Sequence, residues 1–404
     1  MLDRALAKAL RSTDDARAAW ALVGIRVAFW VAAAAALVWA PVRNATRLAP
    51  YRAYDALTDL LFGTFAQWDA DWFLNIATHG YRGEQATAFF PLYPALVAGV
   101  AVVVRSPVVA AVLVSLAAAA VVAVVLLRIA RPLLGEGAAR TALLYVALYP
   151  FAYVFTAAYA DAIFLALAAG SFLAGLRRRP FLAGVLGALA VATRPLGFAL
   201  VPPLLVLLWP RQRRELLGLA PLALLPAALG GYMLYLDHKF GDALAFSHAQ
   251  GVYWQRYTPT LGPLGGLWDS LVAGWHGFAE IARHLPRAQE HPHGYARHDQ
   301  WAIWNLAQFL LLVAALWLTW KAWVRLGVAY GLYSLTLIAI VLSSPARIVP
   351  LAGFPRYVLS DFPLFLALAQ LTQRRPRAQT AVVVAFAAVG AAAAIAFSRK
   401  VWVA

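Results

Sequence analysis

The stretch Gln67-Trp68-Asp69-Ala70-Asp71-Trp72 sets two carboxylates two residues apart among tryptophans. A carboxylate at a water–lipid boundary can take a proton from a hydroxyl, and partial burial raises its pKa toward the range useful to a general base. Tryptophan suits that boundary, because both its apolar ring and its N–H donor are accommodated there. The same stretch also reads as an aromatic belt with solvated aspartates. On a helix, residues two apart lie about 200° around the axis. Asp69 and Asp71 are therefore expected to face different ways, with only one of them on a given cavity, whereas an extended segment would put both on one side.

Such groups need a scaffold, and composition defines it. Of 404 residues, 63% are hydrophobic and 13% charged, too little charge to cover the surface of a water-soluble domain. Apolar runs such as Ala110–Leu127 and Ala381–Phe397 approach or cross a hydrocarbon layer of about 30 Å. The segment Trp20–Ala40 is too long for a cleaved signal peptide and reads as a retained span. With no cysteine, disulfides, thiolate metal sites and thiol nucleophiles are excluded. The net charge of +16 does not point to nucleic acid, because it falls in short gaps between apolar runs: Arg4/Lys8/Arg11/Arg17, Arg128/Arg131/Arg140, Arg177/Arg178/Arg179, Arg211/Arg213/Arg214, Lys321/Arg325 and Arg374/Arg375/Arg377.

Short basic loops stay cytoplasmic. With all six clusters inside, the spans are expected near 18–40, 108–128, 138–156, 160–176, 181–193, 196–209, 216–236, 301–320, 326–343, 355–371 and 379–397, about eleven transmembrane helices with the N-terminus cytoplasmic. Residues 89–104 are then a juxtamembrane or re-entrant helix, since counting them as a span would put Arg177–Arg179 outside. The expected fold class is an all-α polytopic membrane protein, a single domain over 1–404. Two long outer loops, 41–107 and 237–300, carry juxtamembrane helices and most of the polar residues, among them Asp55, Asp59, Glu84, Lys239, Asp242, His276 and Asp299. The Arg177–Arg179 cluster is expected to touch anionic membrane lipids. His248 and His276 lack metal-ligand spacing, and Glu290-His291-Pro292-His293 with His298 reads as a solvated loop.

Beyond Trp-Asp, the chain carries Ile76-Ala77-Thr78-His79-Gly80-Tyr81 and Phe89-Phe90-Pro91-Leu92-Tyr93-Pro94. In order and spacing these resemble the PIG-V mannosyltransferase family of the GT-C superfamily. Weaker matches follow at Tyr149-Pro150-Phe151, Ala157-Ala158-Tyr159-Ala160-Asp161, Ala192-Thr193-Arg194-Pro195 and Phe354-Pro355-Arg356-Tyr357, so the resemblance runs over about residues 60–370. It implies the GT-C glycosyltransferase fold, a polyprenyl-phosphate sugar donor, inversion at the anomeric carbon, no catalytic metal or other cofactor, and Asp69 as the catalytic base in the first outer loop. A Tyr-Thr-Glu-Ser type element of many relatives reads Tyr159-Ala160-Asp161-Ala162 here, keeping an acid but losing both hydroxyls, which leaves a donor role for that element in doubt.

A phosphodiester that leaves as a monoester gains negative charge, and fixed cations there favour the transition state. Arg194, at a helix break, and Arg356, at a span edge, are the candidates for binding the donor phosphate; snorkelling or carbonyl-satisfying roles are the alternative for each. Asp161 sits at the start of the fourth span, as a substrate contact or as an ion-pair partner of Arg194 or Arg356. Trp68, Asp71, His248, Gln250, Trp254 and Arg256 complete the expected substrate-binding set, the last four on a loop able to close over donor or acceptor. The expectation is an inverting mannosyltransferase that moves a sugar from a polyprenyl-phosphate donor to a lipid- or glycan-linked hydroxyl on the outer face of a bacterial cytoplasmic membrane. The rival is a secondary transporter or lipid flippase, against which stand the missing repeat and the position of the helix break at the membrane edge.

Overall fold

The computed structural model describes residues 2–39, 57, 59–210, 212–284, 298–399 and 401. Asp55, Glu290, His291 and His293 lie outside the described residues, as do the side chains of His298 and Asp299. The described chain is helical, with one isolated bridge pairing Arg256 with Ala346. Its α-helices are α1 Leu2–Trp39, α2 Asp69–His79, α3 Leu92–Val104, α4 Pro107–Leu134, α5 Glu136–Leu148, α6 Asp161–Leu176, α7 Pro180–Val191, α8 Val201–Leu208, α9 Leu224–Phe240, α10 Ala245–Trp254, α11 Pro263–His284, α12 His298–Leu326, α13 Val328–Leu342, α14 Phe354–Ser360, α15 Phe362–Thr372 and α16 Pro376–Ser398. Tight 3-10 turns precede α3, α6, α8 and α9.

Among the described residues, five helical segments are long and apolar enough to cross a bilayer: Thr13–Trp39, Pro107–Leu134, Leu216–Phe240, Trp301–Leu326 and Pro376–Ser398. Together with the shorter apolar helices between them, they make the chain an integral membrane protein. Each segment expected to span coincides with helical structure, although three are interrupted. Pro150 follows the end of α5, Pro221 lies within the 3-10 turn Arg213–Ala223, and Asp361 separates α14 from α15, with Pro363 in the first turn of α15. Proline explains these breaks, because it lacks the N–H and clashes with the preceding turn. The segment read as juxtamembrane is α3, whose 13 residues reach only about 20 Å. Arg105 in the left-handed region (φ 53°) ends it, and Ser106 caps α4, its Oγ accepting from the Val109 N–H at 3.4 Å, with Pro107 in the first turn.

Helices of this kind are joined at their ends by charge and along their lengths by small residues. Asp15 of α1 accepts from Arg128 (3.0 Å) and Arg131 (2.5 Å) of α4, and Glu136 of α5 accepts from Arg140 at 2.7 Å. The first two arginine clusters therefore lie at one end of the bundle. Arg178 donates to the carbonyls of Leu207 and Trp209, tying the third cluster to the end of α8. Along the helices, glycines permit close approach in place of large side-chain interdigitation. A Cβ built on Gly184 of α7 would lie only 2.2 Å from the Pro221 carbonyl oxygen. Gly184→Ala sets a helix-propensity gain of up to about 1 kcal/mol against an overpacking cost of about 1–3 kcal/mol. With backbone as the obstacle the cost prevails, and thermal unfolding in detergent should show a lower midpoint for the variant.

Candidate active site

The motif blocks act as joints around one cavity. In Ile76-Ala77-Thr78-His79-Gly80-Tyr81, Gly80 (φ 71°) closes α2 by donating to the Ile76 carbonyl at 2.8 Å. Glycine is favoured there because positive φ costs it little. The Tyr81 hydroxyl then donates to the Phe89 carbonyl at 2.7 Å, tying the start of the next block to α2. Within that block the Leu92 N–H donates to Ala192 (3.0 Å), and the Tyr93 hydroxyl lies 3.0 Å from Ser115 Oγ. Ser115 donates in turn to the Ala157 carbonyl at 2.8 Å, while the Ala158 N–H donates to Phe65 at 3.1 Å and the Tyr159 hydroxyl to Gln67 at 3.1 Å. These buried bonds lock the approach to α2 against the loop before α6.

Immediately after Gln67 stands Trp68 with φ 60°, an uncommon conformation for a bulky residue. The surrounding bonds hold it in place, since Gln67 is fixed on both sides and the Trp68 carbonyl accepts from the Asp71 N–H at 3.1 Å. The turn delivers Asp69 as the first residue of α2, at the helix end where partial positive charge favours carboxylates.

A cavity of about 610 Å³ opens over this helix end. Asp69 and Asp71 line it from α2, Trp68 from the residue before that helix, Arg194 from the start of the turn before α8, Gln250 and Trp254 from α10, Arg256 from the segment after it, and Arg356 from α14. The structure thus brings together eight of the expected site residues, and it corrects one expectation. Asp69 and Asp71 both border the same cavity, because the cavity wraps around the end of α2 and not along one side. Asp71 is exposed at this border, whereas Asp69 is partly buried.

Two ion pairs dominate the cavity floor. Arg356 Nη1 donates to Asp69 Oδ2 at 2.7 Å, with its guanidinium 5.0 Å from the centre of the Tyr159 ring. Arg194 grips Asp161 through both terminal nitrogens at 2.9 Å. The Asp161 side chain is fully buried and that of Arg194 is 11% exposed. Asp161 therefore lies behind the cavity wall as the partner of Arg194. The Arg256 guanidinium donates to the carbonyls of Ser344 and Ala352, both at 2.7 Å, and so pins the segment before α14. His248 does not line the cavity. It lies on an exposed part of α10 with Nδ1 2.7 Å from Asp242 Oδ2, a hydrogen bond that holds the Asp242 carboxyl below its usual range.

Sequence reasoning missed several lining residues. Trp72 stacks on Phe89 at 5.8 Å, and both rings meet Trp254 edge-on at 6.1 and 5.5 Å, forming one aromatic wall. Tyr153, Tyr159 and Tyr357 line the cavity, as does Phe397 from α16, whose ring lies 4.6 Å from that of Tyr153. The tyrosines lie within or close to the motif blocks, which was their available signal; Phe397 carries no signal in its apolar run.

Fold and cavity define a polytopic membrane protein with a carboxylate–arginine site beside an aromatic wall. Residues 25–208 match the model of the family Mannosyltransferase (PIG-V), the resemblance read from the motifs. Curated relatives named GPI alpha-1,6-mannosyltransferase 2 from Rattus norvegicus and Homo sapiens are each 50% identical over 48 residues, 12% of this chain. The matched stretch spans about a tenth of the length of those relatives (10%). No solved structure matches.

The Arg194–Asp161 pair supplies a test of the site's construction. Removing one partner of a buried pair typically costs about 3–5 kcal/mol. Arg194→Leu and Asp161→Asn should each lower the unfolding midpoint strongly. The double variant should be less destabilised than the sum of the two, as a double-mutant cycle would measure.

Proposed function

We propose that the chain is an inverting mannosyltransferase of the GT-C fold, drawing on a polyprenyl-phosphate mannose donor and a lipid- or glycan-linked hydroxyl acceptor. The observation that carries this reading is the meeting of Asp69, Arg356 and Arg194 on one cavity that also has an aromatic wall. The family match over residues 25–208 supports mannose as the transferred sugar.

In this reading the acceptor hydroxyl attacks C1 of the donor from the face opposite the phosphate, and its proton passes to Asp69. The C1–O bond breaks, its electron pair stays on the phosphate oxygen, and the product is inverted. Arg356 links the two ends of the reaction. With no donor it pairs with Asp69; a donor phosphate competes for the same guanidinium and loosens its hold on the base. Arg194, held rigid by Asp161, adds a fixed positive charge where the phosphate gains negative charge. The aromatic wall of Trp72, Phe89 and Trp254 suits a sugar face or the first isoprene unit. The transporter or flippase reading gains no support from the cavity.

Eleven spans, with the six basic clusters cytoplasmic and the cavity on the outer face, complete the proposal. The grouping of the first cluster with the second, and of the third with the end of α8, supports that sidedness. A single cysteine replacing the exposed Glu84 should react with an impermeant thiol reagent applied to intact cells, and one replacing Arg177 should not. Labelling of the Arg177 position from outside would overturn the orientation.

The base itself is tested by Asp69→Asn, which keeps size and shape but cannot accept the proton. General-base contributions run to about 10²–10⁴-fold. Turnover should fall by that factor in folded, purified protein while donor binding, measured separately, persists. Asp71→Asn should lose clearly less, because Asp71 stands at the exposed border. The reverse ranking would move the base to Asp71, and an active Asp69→Asn enzyme would remove the mechanism.

A further inference from the structure

A second cavity, of about 460 Å³, lies between α11, α12 and the segment before α14. Glycines make it possible. A Cβ on Gly277 of α11 would stand 2.4 Å from the Ala302 carbonyl of α12, and one on Gly274 would meet the Phe309 ring at 2.6 Å. The two helices therefore approach closely, leaving a cleft beside them. Its lining is mixed: Trp268, Asp269 and His276 from α11, Asn305 from α12, and Tyr257 and Arg347 from the two facing segments. The polar groups are held in place. The Tyr257 hydroxyl donates to Asp269 Oδ2 at 2.6 Å, and the Arg347 guanidinium sits 5.4 Å from the centre of the Tyr257 ring.

This cleft shares a wall with the first cavity. The Tyr257 N–H donates to Pro345 at 3.1 Å and the Arg347 N–H to Gln255 at 3.2 Å, so residues 255–257 and 345–347 run bonded together. Arg256 faces the first cavity and its neighbour Tyr257 the second. Ala352 and Gly353 face the first, and Ile348 and Pro350 the second. A ligand lying in the cleft thus ends next to the cavity that holds Asp69.

We propose that the cleft is a saccharide-binding subsite for the acceptor, holding sugar units beyond the one whose hydroxyl is mannosylated. Carboxylate, amide and guanidinium groups together can match the donors and acceptors of a polyol, and an exposed tryptophan offers a face for stacking on the C–H side of a pyranose. Polar groups line the cleft from both helices and both facing segments, and the mixture of charges favours a hydroxyl-rich ligand over a simple anion. Trp268 itself belongs to an exposed apolar stripe along α11, with Leu264, Leu271, Trp275 and Phe278 at helical spacing. Such a helix lies in a membrane interface, which places the cleft where a lipid-anchored saccharide is presented. The inference rests on the transferase reading for its role but not for its test.

The experiment is saturation-transfer NMR on the full chain in lipid nanodiscs, free of sugar detergents. The probes are a set of methyl glycosides and the matching glycosides on a short alkyl chain. Wild type and Asp69→Asn should both give saccharide signals, stronger for the alkyl glycosides if the acceptor is lipid-anchored and equal if it is a soluble glycan. Trp268→Ala and Asp269→Asn should each weaken binding by roughly tenfold, the worth of one good polar or stacking contact. Trp268 is exposed, so its truncation leaves no core void, and folding is checked by the unfolding midpoint. Saccharide signals unchanged in both cleft variants, or absent from wild type that consumes the mannosyl donor, would overturn the subsite while leaving the transferase reading. Wild type that consumes no donor, with signals lost in the cleft variants, would do the reverse.

Discussion

An ionised side chain within a bundle of apolar helices is tolerated only with a partner, because the desolvation of a lone charge there exceeds what the helix packing can offset. In this protein that constraint shapes the region around the cavity. Asp161 begins α6, Arg194 precedes the turn into α8, Asp69 begins α2 and Arg356 sits in α14. Each is at a helix end and each meets its opposite from a segment distant in the chain. The pairs also interact with each other, as Asp161 lies within the electrostatic reach of Arg356. Alternating charge along the floor keeps four ionised groups together at modest cost. It also forces α2, α6, α8 and α14 to end at one place.

Neutral hydrogen bonds carry the same construction outward. Ser115 is a single hydroxyl inside α4, yet it joins Tyr93 of α3 to the loop before α6. Tyr149 donates to the Pro355 carbonyl at 3.0 Å, so the loop after α5 holds the start of the helix that carries Arg356. Leaving such buried groups unpaired would cost about 1–3 kcal/mol each. The tyrosines and the serine are thus geometric devices as well as packing. They set the direction from which Asp69 and Arg356 meet, and they keep Trp68 in a backbone region that it would otherwise leave.

The helical class and the positions of apolar segments were legible because hydrophobic run length is a direct imprint of bilayer thickness. Interruptions were less legible. Pro150, Pro221 and Pro363 were visible as residues, but proline can kink a span, end it or begin it, and only tertiary packing selects among these. Most of the site was legible for a different reason. Asp69, Arg194 and Arg356 are charges in apolar surroundings, which stand out in any reading. Asp161 stood out equally, and its placement behind the wall shows the limit of that signal: the sequence cannot tell a charge that faces a ligand from one that faces its counter-charge. His248 is an exposed residue of α10 paired with Asp242, and nothing in residue type separates it from Gln250 and Trp254, which do reach the cavity. The aromatic wall and Phe397 were hidden because an aromatic residue in an apolar run is the background.

Asp71 borders the cavity despite helix periodicity because the cavity lies at the end of α2. The argument from a 200° separation assumes that a ligand site faces the side of a helix. A site at a helix end gathers the whole first turn, together with its unpaired N–H groups. That gathering puts both carboxylates on one cavity. With Asp161 included, three carboxylates stand near three guanidiniums. Arg356 and Arg194 are matched by Asp69 and Asp161, whereas Arg256 donates to the neutral carbonyls of Ser344 and Ala352. Those contacts are neutral, and the Arg256 guanidinium lies on the same cavity. The cavity thus combines carboxylates at one helix end with guanidiniums brought to it from three other segments.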